Sequence, residues 1–136
     1  MTDVAFMDLK EEIKEDYRGF IFFTFRGRVR EPQDVLRSFH LISILPGQVR
    51  GNHLHPGHTE WFYPFHGTGV LLWEATPGLI QERVLTGNRC LVQIPPGVAH
   101  ALKNPGPEIC YLLAWRERVG PGGQEPETVP RDLSGG

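Results

Sequence analysis

The sequence predicts an all-β domain, a sandwich or barrel of short strands, and three observations carry that expectation. Seven runs rich in β-branched and aromatic residues follow one another between Gly19 and Trp115. Turn signals separate them at a spacing of about ten residues, the rhythm of sandwiches and barrels. Gly and Pro, 16 and 12 of the 136 residues, together make up a share of the chain that disfavours long helices.

Taken in order, the elements are as follows. Residues 4–17 place Phe6, Leu9, Ile13 and Tyr17 at helix-like spacing, and a helical turn and an edge strand both fit so short a segment. The strand runs are GFIFFTF, LRSFHLISIL, EWFYPF, GVLLWEA, LIQERVL, CLVQI and EICYLLAW. Turn chemistry punctuates them at 46–48, 55–58, 66–69, 76–78, 86–88, 95–97 and 104–107. The organisation expected is an N-terminal extension over 1–18, a barrel over 19–119 and a Gly/Pro-rich tail over 120–136, ordered only where it lies on another surface.

A chain of 15.4 kDa fits one domain. Its net charge of −2 lacks the basic footprint of a nucleic-acid binder. No apolar stretch is long enough to cross a bilayer, and the charged N-terminus does not read as a signal peptide, so a soluble, cytoplasmic protein is expected. Cys90 and Cys110 sit in apolar runs without ligand spacing and read as buried free thiols.

The chemistry concentrates in HLHPGHTE at 53–60. Residues two apart on a strand face the same side, about 7 Å apart at the backbone. His53 and His55 can therefore offer two nitrogens to one cation. Pro56 and Gly57 turn the chain, and Glu60 opens the next strand, where its carboxylate can return to the same point. His100, after the rigid Pro95-Pro96-Gly97 turn, suits a neighbouring strand and supplies a fourth donor. The competing reading is a polar network without metal. His58, in the intervening turn, is expected to face solvent. His66 is too far along its strand to reach the same ion, and His40 either packs in the barrel or lines its pocket.

The wider spacing runs Gly47, five residues, His53-Leu54-His55, four residues, Glu60, six residues, Gly67, followed by Pro95-x-Gly97, two residues, His100, three residues, Asn104. These strings resemble the two cupin motifs, with Gly87 two residues farther upstream than the usual second-motif spacing. The resemblance implies a single-domain jelly-roll barrel in which His53, His55, Glu60 and His100 hold one divalent ion. Such a donor set suits Zn²⁺, Fe²⁺, Mn²⁺, Ni²⁺ or Cu²⁺, with Zn²⁺ preferred, and leaves one or two positions open for water or substrate.

The strings DYRGF (16–20), RGNHLH (50–55), TEWF (59–62), IPPGVAHALKNPG (94–106) and LLAW (112–115) are similar to the C-terminal cupin domain of bacterial capsular-polysaccharide enzymes acting on 4-keto sugar nucleotides. They also resemble, more distantly, dTDP-4-dehydrorhamnose 3,5-epimerases. The 136 residues hold no counterpart of the reductase part of the capsular enzymes. What the resemblance implies is an epimerase or isomerase that removes a proton beside a ketone while a metal at the carbonyl oxygen stabilises the enolate. His40, Tyr111, Tyr63 and a metal-held hydroxide are the candidate bases. In the metal-free rhamnose-type enzymes the base maps onto His53, which cannot readily be ligand and base at once.

Arg26, Arg28 and Arg50 are candidates for substrate phosphates, and Trp73 for stacking on a base or sugar. Against these stand an edge-protecting role for the alternating arginines at 26, 28 and 30 and core or dimer packing for Trp61 and Trp73. An Fe²⁺ dioxygenase and a non-catalytic sugar-binding cupin are the alternative functions. A homodimer is expected, to cover an apolar face or a strand edge.

Overall fold

The structure, a computed structural model, describes residues 3–120 and 127–134. Residues 121–126 and 135–136 of the expected tail lie outside the described residues. The described strands are β1 (Ala5–Asp8), β2 (Lys14–Asp16), β3 (Gly19–Ile21), β4 (His40–Ile44), β5 (Val49–Leu54), β6 (His58–His66), β7 (Thr68–Thr76), β8 (Leu79–Thr86), β9 (Cys90–Ile94), β10 (Ala99–Lys103), β11 (Cys110–Arg118) and β12 (Val129–Pro130), with one short helix, α1 (Pro32–Ser38). They form two five-stranded antiparallel sheets, in the orders β1-β9-β6-β11-β4 and β12-β5-β10-β7-β8, and a small β2-β3 hairpin. The molecule is an all-β jelly roll, as the sequence predicts.

The seven turn signals all fall between strands of the sheets. Two runs are only partly strand. GFIFFTF is extended only over Gly19–Ile21 and continues as turns. LRSFHLISIL divides into the end of α1 and β4. Pro32 opens α1, where a missing N–H costs nothing, and Ser38 Oγ joins its end to β11 by accepting from the Arg116 N–H at 2.8 Å. The N-terminal segment forms edge strand β1 on β9, then a turn at Leu9–Ile13.

Between the sheets lies a core that includes Ile44, Phe62, Leu71, Trp73, Leu85, Val92, Ile94, Leu102 and Leu112. The outer face of the first sheet is covered as well. Trp61, Tyr63 and Trp115 pack there against Leu9, Ile13, Val35 and Leu91, with Trp61 and Trp115 stacked at 5.7 Å. Because both faces of this sheet are buried, its strands lack a clean apolar/polar alternation.

Candidate metal centre

The inward-facing positions change character along each strand. At one end they are apolar, and at the other they carry nitrogen and oxygen. On β6 the inward side chains run from Phe62 to Glu60, on β11 from Leu112 and Ala114 to Arg116, and on β10 from Leu102 to His100. Cross-strand register aligns them: Arg116 stands opposite Glu60, and His100 opposite His53.

A bulge sets the parity of β5. His100 pairs with His53 and Ala101 with Gly51, so Asn52, at φ 57°, is the extra residue. Gly51 has φ 96°, and a Cβ there would lie 2.9 Å from the His100 carbonyl oxygen. The bulge turns Arg50, opposite Leu102, towards the same cavity as His53.

One donor atom from each of His53, His55, Glu60 and His100 lies within 4.8 Å of the others. The ring centroids of His53 are 4.7 Å from His55 and 4.9 Å from His100. His55, Glu60 and His100 are buried and His53 is half-buried. Glu60 Oε1 is 2.6 Å from His100 Nε2. His55 Nε2 lies 3.5 Å from Glu60 Oε2 without hydrogen-bond geometry, so this buried nitrogen has no hydrogen-bond partner among the described residues.

The donor chemistry fits a cation. A carbonyl oxygen only accepts, so the contacts of His55 Nδ1 with Glu127 O and of His100 Nδ1 with Val98 O, each 3.0 Å, place a hydrogen on both Nδ1 atoms. In the neutral rings both Nε2 lone pairs then face the Glu60 carboxylate, an acceptor-to-acceptor arrangement that a proton or a metal ion between them relieves. Burial works against the Glu60 charge, but the facing rings of His100 and His55 outweigh it and hold the carboxyl well below its usual range. Burial first, and then the neighbouring His100, push His53 down to about 4, leaving its ring neutral with a lone pair to offer.

His53, Glu60 and His100 line one end of a cavity of about 700 Å³ that His40, Arg50 and Arg116 also line, with His55 buried behind them. The other sequence candidates lie elsewhere. Tyr63 and Tyr111 alternate with the inward residues and face outwards. Tyr63 donates to the Asn88 carbonyl at 2.8 Å, and burial pushes its phenol up to about 12; Tyr111 is half-exposed and stacks on Phe65 at 6.2 Å. Trp73 is inward but belongs to the apolar core, where its Nε1 donates to Asp3 Oδ1 at 2.8 Å. Arg26 and Arg28 do not share an extended face, because turns occupy this segment: Arg26 lies over Phe23, and Arg28 pairs with Glu12.

His66 is exposed beside Glu108 at 3.2 Å, away from the cluster. His58 is not in open solvent: it lines a cavity of about 200 Å³ with Arg116 and Glu127. Cys110 is buried and Cys90 half-buried, both free thiols. Sequence reasoning missed Arg116, whose signal is its even spacing with Leu112 and Ala114, and Glu127, which has no signal in a tail of polar composition.

Two antiparallel sheets closing on a three-histidine, one-carboxylate cluster define a small-barrel protein with a pocket able to hold a metal. The chain belongs to the cupin family: the cupin domain model matches residues 40–116. Among solved structures, the capsular polysaccharide assembling protein CapF from Staphylococcus aureus is 26% identical, with a TM-score of 0.61. The match covers 70% of this chain and 28% of that one, so this chain spans little more than a quarter of CapF. QdtA, a sugar 3,4-ketoisomerase from Thermoanaerobacterium thermosaccharolyticum in complex with TDP, is 17% identical over 98% of this chain and 90% of its own, with a TM-score of 0.73. The dTDP-6-deoxy-D-glucose-3,5-epimerase RmlC from Legionella pneumophila Philadelphia 1, in complex with dTDP-4-keto-L-rhamnose, is 17% identical over 79% and 64%, with a TM-score of 0.60. At that identity the last two likenesses bear on the fold alone. A search of curated proteins found no match. No helix among the described residues is long and apolar enough to cross a membrane.

Proposed function

We propose that the chain is a metal-dependent epimerase or isomerase that acts by enolisation on a 4-keto nucleotide sugar in surface-polysaccharide biosynthesis. The observation that carries this reading is the convergence of His53, His55, Glu60 and His100, donors within 4.8 Å of one another, three of which (His53, Glu60 and His100) line a cavity of about 700 Å³. That volume lies in the range of small-molecule sites. The likeness to CapF, a capsular polysaccharide assembling protein, supports the surface-polysaccharide setting.

His53, His55, Glu60 and His100 would hold the ion, with Zn²⁺ preferred for this donor set. Bound there, a divalent ion supplies a Lewis acid for the substrate's carbonyl oxygen, which lowers the cost of removing the adjacent proton. His40 is the base. Its Nδ1 lies 2.5 Å from the Ser38 carbonyl oxygen, so Nδ1 carries the hydrogen and Nε2 is free to take a proton. His40 stands opposite Ala114, one inward row from the Glu60 and Arg116 pair. Arg50 is held by its Nε–H donation to the Ser43 carbonyl at 2.9 Å, and the rest of its guanidinium is available to an anionic group at the rim. Arg116, inward and flanking the cluster, binds a polar oxygen of the sugar. A homodimer completes the reading: exposed Leu41 on edge strand β4, Phe39 just before that strand and Tyr111 beside it form the apolar face to be covered, and sedimentation reports the mass.

The deciding experiment offers the metal-loaded protein 4-keto nucleotide sugars in deuterium oxide. Deuterium entering carbon beside the ketone, without a redox cofactor and abolished by chelation, is the expected result. No exchange in a protein that elemental analysis shows to be metal-replete overturns the reading.

A further inference from the structure

The described C-terminal residues run along β5 beside the metal centre. Val129 and Pro130 pair with Leu54 and His53. The Arg131 N–H donates to the Asn52 carbonyl and the Leu133 N–H to Asn52 Oδ1, each at 2.8 Å. The Leu133 side chain is buried with Leu72, Ala99 and Ala101 on the outer face of the second sheet, and the Arg131 guanidinium makes two 3.0 Å hydrogen bonds to Glu74. At the other end, the Glu127 carbonyl oxygen accepts from His55 Nδ1 at 3.0 Å, Thr128 Oγ1 lies 3.3 Å from the same nitrogen, and the Glu127 carboxylate receives Arg116 Nη2 at 3.1 Å.

We propose that this strap, Glu127–Leu133, is a positioning element of the metal centre that fixes the tautomer and orientation of His55 through the Glu127 carbonyl. Nδ1 is tied up as a donor, so the buried and unpartnered Nε2 keeps its lone pair and points at the Glu60 carboxylate side of the cluster. Without the strap, the described contact left to set the hydrogen is the 3.5 Å approach of Glu60 Oε2 to Nε2, which favours the opposite tautomer. A partner of this kind behind a ligating histidine is worth about 10–100-fold in metal affinity. The affinity consequence rests on the metal reading given above, whereas the tautomer does not.

Ring ¹⁵N shifts of the intact, metal-free chain make the first test. Hydrogen on Nδ1 of His55 is expected, alone or with a second on Nε2, and a ring with hydrogen on Nε2 alone overturns the proposal. The second test compares Zn²⁺ affinity, by chelator competition, in the full chain, a chain stopped after residue 126, L133D and E127Q. L133D keeps the Glu127 carbonyl and every backbone N–H of the strap but expels its anchor, and it decides the matter if the shortened chain fails to fold. The shortened chain and L133D are expected to bind Zn²⁺ about 10–100-fold more weakly and to lose the Nδ1–H tautomer. E127Q keeps the carbonyl and is expected to stay within about twofold. Folded L133D with unchanged affinity and an unchanged His55 tautomer overturns the proposal. A full chain that binds no Zn²⁺ removes the metal reading and leaves the tautomer measurement to decide the strap.

Discussion

The two faces of β6 hold the same nine residues of chain in opposite service. Trp61, Tyr63 and Phe65 point outwards into an aromatic layer closed by Trp115 and the N-terminal segment. Glu60, Phe62 and Pro64 point inwards, and Glu60 meets three histidines. The outer face is mostly hydrophobic area removed from water, which stabilises in proportion to area and asks little of orientation. The inner end carries buried polar groups held in opposition, which cost stability unless a proton or a cation joins them. The sheet therefore buries hydrophobic area on its outer face and over much of its inner one, and gathers its chemistry at one inner end, so substitutions in the aromatic layer and in the cluster should separate folding from binding.

The largest separation is expected from W115A. Trp115 is fully buried and its indole N–H has no partner among the described residues, so its contribution is packing against Trp61 and Phe25. Truncation should lower unfolding free energy by about 3–5 kcal/mol. Denaturant titration measures this, and Zn²⁺ affinity of the folded fraction should hardly move. On the inner face, E60Q should do the reverse: Zn²⁺ affinity falls by about 100-fold or more, beyond the effect of losing an outer partner, while the metal-free protein remains folded. If E60Q unfolds the protein and W115A abolishes metal binding without destabilising it, the division between the faces fails.

G51A crosses the division, because the bulge belongs to both backbone and site. A Cβ at Gly51 meets the His100 carbonyl oxygen at 2.9 Å and sits at φ 96°, whereas one at Gly78, at φ 84°, meets nothing within 4 Å. G78A should show only the cost of the left-handed backbone, about 1 kcal/mol, and G51A more, up to about 3 kcal/mol. Only G51A should also weaken metal binding, since the strand that carries His100 has to shift. Equal effects of the two on stability and on Zn²⁺ affinity would detach the bulge from the site.

Much of this arrangement is legible in the sequence, for identifiable reasons. Turn residues mark every connection from β4 to β11, because the backbone angles they require are local. The histidine pair and Glu60 are readable because strand parity puts His53 and His55 on one side and the Pro56-Gly57 turn brings the chain back. What escaped depends on non-local information. Nothing in LRSFHLISIL separates α1 from β4, since Leu36 and Leu41 are both exposed and the break follows from docking on β11. Tyr63 and Tyr111 could not be assigned to faces, because an apolar residue is buried on either side of a doubly covered sheet and the shift between Tyr111 and Leu112 resets the parity; Arg116 lies beyond that shift, and only its even spacing with Leu112 and Ala114 marks it. Glu127 contributes mainly through its backbone, which no side-chain pattern reports.

The smallest effect tests the outer face at Tyr63, which the sequence offers as one of several candidate bases. Tyr63 reaches the Asn88 carbonyl, not the cavity, and its phenol is pushed up to about 12 by burial, so at neutral pH it is a donor and not a base. Y63F should lose one hydrogen bond, about 0.5–1.5 kcal/mol of stability, with turnover in the deuterium-exchange assay unchanged. H40Q, which keeps a polar side chain in the cavity but removes the ring nitrogen, should abolish exchange while Zn²⁺ affinity persists. A Y63F variant without exchange, beside an H40Q variant that retains it, would move the base to the far side of the sheet and oblige the substrate to bind outside the barrel.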